Sequence, residues 1–209
     1  MTSTAELHKD YDLTAVPAIV QGSVKLGLLQ AVVVLLFALA SRFLSGVLEV
    51  LVCGIILAIG LAAVTVLPGL WTRALTIEGI AGAAGIGLGA TGVFLLVDIV
   101  LLQNLGIYSN RWYDVGGGSN WWYHPVWWML GTFLPWMGAW LLANQTARKG
   151  RPDVPRALVT ALILTLLVGG LAVVLDLPGA GWNLGTFGVA YLPALVLATV
   201  VSALGKRRT

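Results

Sequence analysis

Charge is scarce in this sequence: 10% of the 209 residues are Asp, Glu, Lys or Arg, against roughly 25% in an ordinary water-soluble domain. With 58% of residues hydrophobic, water is not the solvent for most of the surface. Cysteine is nearly missing as well. The lone Cys53 lies in an apolar stretch, which excludes an intrachain disulfide and a thiolate or iron–sulfur cluster and reads as a small buried residue. Histidine occurs twice. Because His8 precedes every long apolar run, a haem held by two histidines within the chain is excluded. No His, Asp and Glu set offers three metal ligands at readable spacing, so no metal site is expected.

Catalytic signatures are also wanting. Asp114, Ser119 and His124 are close in sequence, but no strand-to-helix nucleophile elbow, paired buried carboxylates or phosphate-binding loop accompanies them. No catalytic residue is assigned and no enzyme is expected. The net charge of +3 is spread over short connections and forms no stripe able to track a nucleic acid. Glu6, Lys9, Asp10 and Asp12 stand where a cleaved presequence would be basic and then apolar, so none is expected.

What the sequence does have is long apolar runs. As a single helix, residues 26–70 would be about 66 Å long, twice the hydrocarbon thickness of a bilayer. The run must fold back, and the break is expected between Arg42 and Glu49, where Ser45 and Gly46 supply a turn. The expected architecture is an all-α, polytopic membrane helix bundle. Its six transmembrane helices span about 26–44, 50–70, 80–108, 126–143, 157–175 and 186–204. A five-helix alternative makes 26–70 one crossing plus a re-entrant piece. Residues 1–25 form an N-terminal segment whose 13–25 stretch, broken by Pro17 and Gly22, is expected on the membrane surface. Residues 109–125 form an aromatic outer loop, and 205–209 a basic tail.

Orientation follows from the basic residues, which accumulate on the cytoplasmic side of membrane proteins. Lys9, Lys25, Arg73, Arg148, Lys149, Arg151, Arg156, Lys206, Arg207 and Arg208 fall on one side; Arg42 and Arg111 fall on the other. That asymmetry puts both termini in the cytoplasm of a bacterial-type inner membrane, with the tryptophan-rich loop outside.

Four features carry specific information. Gly82, Gly85, Gly89 and Gly92 make a small-residue stripe on the third span, suited to close approach of another helix backbone. The overlapping match of Gly87, Gly89 and Gly92 to a dinucleotide-binding pattern lies within an apolar helix, not after a strand, and is discounted. Seven of nine tryptophans fall between Trp112 and Trp140. Trp112, Trp121, Trp122, Trp127 and Trp128 sit where amphipathic rings anchor at an interface. Interleaved with Asn110, Arg111, Asp114 and Asn120, they also suit protein docking. Asp98 is the one carboxylate well inside a span, which points either to a structural pair with Arg42 or Arg111 or to an ion or proton site. His124, before Pro125, is a candidate single axial ligand to a pigment, against the plainer role of bonding loop backbone; the cofactor stays unknown.

Leu67-Pro68-Gly69 and Leu177-Pro178-Gly179 recur after the second and fifth spans, the placement expected of inverted halves in a carrier. Three functional readings follow. The leading one is a non-catalytic accessory or scaffold subunit of a larger membrane complex, of respiratory or photosynthetic type. It would dock membrane-protein partners through the tryptophan-rich loop and the glycine face of the third helix. The others are a small-solute or ion transporter with inverted halves, and a binder of pigment, quinone or lipid. Membrane lipids are partners in each, and nucleic acid in none.

Overall fold

The computed structural model describes residues 14–108 and 123–204. They form six long helices and, among the described residues, no strand. Helix α1 covers Val16–Phe43, α2 Gly46–Trp71, α3 Ile77–Val97, α4 Tyr123–Lys149, α5 Val154–Val174 and α6 Leu184–Ala203; a π-helical turn, Asp98–Leu102, extends α3. Five of the six are long and apolar enough to cross a membrane. Helix α4, which carries four tryptophans and two prolines, packs in the middle of the bundle. The protein is therefore a helical membrane bundle.

The expected fold-back of residues 26–70 occurs at Leu44 and Ser45. Both have extended backbones, and Gly46 then takes φ +65°, a left-handed conformation that glycine adopts without strain. Two full-length helices thus form here, in place of a single crossing with a re-entrant piece. The N-terminal boundary differs more. Residues 16–25, expected on the membrane surface, are the first turns of α1. Pro17 occupies a first-turn position, where its missing N–H costs nothing, and Gly22 is buried against Ile86. Lys25 accordingly lies on the exposed side of a membrane helix, with a stem long enough for its ammonium to reach the interface. The third span stops short of the expected Tyr108, because the chain leaves the helix after Leu102.

Helix α3 is central, packed between α1 and α4. Helix α4 also contacts α2 and α6, and α5 packs mainly on α6 at the edge. Residue numbers rise together along the α1–α3 seam: Ile19 lies by Gly85, Gly22 by Ile86, and Gly27 by Ala90 and Val93. The two helices therefore run parallel, although α2 separates them in sequence. Asp153 starts α5 by accepting from the Arg156 N–H at 3.3 Å, and Asn183 starts α6 by accepting from the Thr186 N–H at 2.9 Å, each supplying an acceptor to an otherwise unpaired N–H. One end of the bundle carries residues 103–108 and the start of α4 and is termed the aromatic end. The other carries the α4–α5 connection and is termed the basic end.

Candidate functional site

At the aromatic end, apolar packing and one buried acid converge. Ala31 and Val34 of α1 meet Phe94 and Leu95 of α3 and Leu102 of the π-turn in a buried cluster, against which Ile107, Tyr108 and Trp127 are packed. The Trp127 ring lies 4.7 Å from that of Phe94, tilted by 50°, a separation and angle favourable to the ring quadrupoles.

Asp98 opens the π-turn and is fully buried. The wide turn, closed by the Gln103 N–H on the Asp98 carbonyl at 2.9 Å, brings the Gln103 side chain back to donate to the carboxylate at 2.6 Å. The Tyr108 hydroxyl donates to the other carboxylate oxygen. Such π-turns concentrate at functional sites. Asn104 donates to the carbonyls of Ile99 and Val100, at 3.2 and 2.9 Å, satisfying acceptors that the helix end leaves open. Gly106, at φ +60°, turns the chain, and its carbonyl accepts from Arg42 at the end of α1 at 3.0 Å.

The expected pairing of Asp98 with Arg42 therefore does not form. Arg42 binds a backbone carbonyl, and among the described residues Asp98 takes neutral donors, which hold a buried carboxylate without the cost of burying a second ion. Arg111, Trp112, Trp121 and Trp122 lie outside the described residues. His124 falls in the first turn of α4, its side chain also outside them. Of the remaining tryptophans, Trp127 is half-buried in the cluster, whereas Trp128 is 41% exposed and lies over Gly92.

The glycine stripe is spent inside the chain. A Cβ on Gly82 would lie 3.0 Å from Thr14 and 3.4 Å from Ile19, one on Gly85 3.7 Å from Ile19, and one on Gly89 would overlap Ser23. At Gly82, Gly85 and Gly89 the face expected to receive a partner helix is occupied by residues of α1 and its N-terminal flank, and at Gly92 by Trp128 of α4. Gly87, outside that stripe, serves the opposite face: a Cβ there would overlap the Gly131 carbonyl and approach Pro135 at 2.5 Å. The recurring Leu-Pro-Gly motifs also diverge. Pro68 and Gly69 are in the last turn of α2, with Gly69 packed on Ala139, whereas Pro178 and Gly179 form a turn after α5 with Gly179 at φ +77°.

Sequence reasoning missed Gln30. It is buried on α1 beside the Ala31 cluster, and its amide oxygen accepts no hydrogen bond among the described residues. Its only sequence signal is a glutamine within an apolar run. The other buried hydroxyls mostly bond their own helix: Thr72 to Pro68, Thr91 to Gly87, Thr165 to Ala161 and Thr199 to Leu195. The hydroxyls of Thr65 of α2 and Tyr191 of α6 bond each other across two helices at 2.9 Å. Among the described residues no group of three His, Cys, Asp or Glu side chains is placed to hold a metal ion. Comparison with protein-family models, curated proteins and solved structures finds no match to this chain.

Proposed function

We propose that this protein is a non-catalytic membrane subunit that presents its aromatic segment to a membrane-protein partner within a larger assembly. The observation that carries the reading is that the described residues on either side of 109–122 are tied to the bundle. On the departing side Tyr108 bonds buried Asp98 and Arg42 bonds Gly106; on the returning side Trp127 stacks against Phe94. Anchoring the described residues on either side of a segment lowers the ordering cost of docking it, and tryptophan, tyrosine and arginine are the residues that concentrate binding energy. The glycine face has no part in this proposal, since the chain itself covers it. The charge asymmetry supports a bacterial-type inner membrane, cytoplasmic termini and an outward aromatic end.

Mild-detergent purification followed by native electrophoresis and mass spectrometry of what co-migrates tests the proposal. The wild-type chain is expected in a stoichiometric hetero-complex, with Trp121→Ala/Trp122→Ala releasing a folded single chain. A single chain from the wild type, or a complex indifferent to the double substitution, overturns the reading.

One observation favours a second reading, an ion or proton carrier: Asp98 is fully buried with only neutral donors among the described residues. It predicts that Asp98→Asn abolishes a proton- or cation-coupled flux in vesicles while the complex stays intact. Flux unchanged by that substitution removes it.

A further inference from the structure

At the basic end, the last turns of α4 and α6 and the first turns of α5 enclose a groove of about 230 Å³. Leu141, Ala198 and Val201 form its apolar part, and Arg148, Lys149 and Arg156 supply three cations around it. Such like charges repel unless they are answered. The local answer is incomplete. Lys149 lies 2.8 Å from Asp153, whose other oxygen caps α5, and Arg148 donates to the neutral Ser202 carbonyl at 3.1 Å. The Arg156 guanidinium has no hydrogen bond or ion pair among the described residues. Among the described residues of the groove, three cations against the one carboxylate of Asp153 leave an excess of two positive charges.

The groove is preformed. The Gln145 side chain accepts from the Asp153 N–H at 3.0 Å, tying α4 to the start of α5, and Asn144 donates to Ser202 at 3.0 Å, tying α4 to α6. Farther from the cations, Val159 and Ile163 of α5 and Leu197 and Val201 of α6 are exposed, giving an apolar path that runs from the groove into the level of the acyl chains. The arrangement thus has an anion-seeking mouth at the helix ends and a continuous apolar wall behind it.

We infer that this groove binds the phosphate headgroup of an anionic glycerophospholipid, its acyl chains lying along α5 and α6. Basic pockets between membrane helices at the bilayer surface hold such headgroups. A zwitterionic lipid is disfavoured, because its ammonium would meet that excess positive charge, and free phosphate cannot use the apolar wall.

The test is native mass spectrometry of the delipidated full-length protein titrated with phosphatidylglycerol, phosphatidylcholine or inorganic phosphate. One phosphatidylglycerol is expected to bind in preference to phosphatidylcholine. Each arginine removed, by Arg148→Gln or Arg156→Gln, should weaken that binding about five-fold, the effect of one basic residue at an anionic surface. Since Arg148 also bonds Ser202, Arg156→Gln is the cleaner variant. The charge-matched change Lys25→Gln, at an exposed position of α1, should leave binding within two-fold of wild type. Equal retention of the two lipids, equal loss in the Lys25 variant, or displacement of the lipid by millimolar inorganic phosphate overturns the assignment.

Discussion

Along the seams joining α1 to α3 and α2 to α4 the backbones nearly touch, whereas α5 meets only the bundle's edge and leaves Leu162, Leu166, Leu167 and Leu171 exposed. The central helix α4 is less apolar than the edge helix α5, so apolarity does not set the difference. In a bilayer the lipid tails are as apolar as leucine, and a leucine gains little by leaving them. Close approach is what counts, and glycine permits it. Helix α1 offers Gly22 and Gly27, α4 offers Gly131 and Gly138, and each lies where a Cβ would collide with the facing helix. Helix α5 offers Gly169, which meets Phe187 of α6, and Gly170, which faces open space. Small residues at a contact, and not hydrophobic ones, decide which helices are central.

The largest effect that would break this contrast is at Gly138. A methyl group there would overlap the Thr65 carbonyl oxygen and lie 2.7 Å from its carbon. Since backbone cannot yield as a flexible side chain can, Gly138→Ala should cost about 3 kcal/mol, the upper range for overpacking. The same change at Gly170 should stay within about 0.5 kcal/mol of wild type, because it adds a helix-favouring residue where nothing is displaced. Reversible unfolding in mixed micelles measures both, and similar losses at the two sites would refute the packing argument.

A smaller effect is expected at the polar link between α2 and α6. Tyr191→Phe leaves the Thr65 hydroxyl without its 2.9 Å partner, and interhelical bonds of this kind are worth about 0.6 kcal/mol. A double-mutant cycle with Thr65→Val isolates that coupling, and a coupling of zero would make the bond incidental. The smallest effect concerns Asp153, outside the spanning helices. Its carboxylate is held below the ordinary aspartate range, first by the hydrogen bond from Lys149 and then by the Arg156 N–H. A depressed acid stabilises the fold above its unfolded pKa, about 3.9, and that contribution is lost as the pH falls through the lower folded value. The stability difference between wild type and Asp153→Asn should therefore be flat from pH 8 to about 5 and shrink below about 4. A difference that grows on acidification would contradict this.

Much of the fold was legible because membrane thickness limits helix length. The break near Ser45 was readable, since an apolar run of that length cannot stay straight. The start of α1 was not, because Pro17 and Gly22 read as breakers when one is a helix starter and the other a contact. The glycine stripe pointed to an approaching helix, but which helix faces it is a tertiary fact. For Asp98, formal charge suggested Arg42, whereas the π-turn folds Gln103 and Tyr108 back to it, and a local change in helical winding leaves no mark in residue spacing. Arg148, Lys149 and Arg156 were visible only as a count for orientation. Their convergence on one groove requires the end of α6 to arrive beside them.

The parallel α1–α3 seam has a consequence for biosynthesis. Translation delivers α1 and then α2 to the membrane, so the first neighbour available to α1 is not its tightest one. The face bearing Gly22 and Gly27 stays unmated until α3 has been made, and the Asp98–Tyr108 tie closes later still. Order of synthesis and order of packing therefore differ: α1 enters the bilayer first, yet it must remain laterally free to exchange lipid for a helix that emerges two spans later.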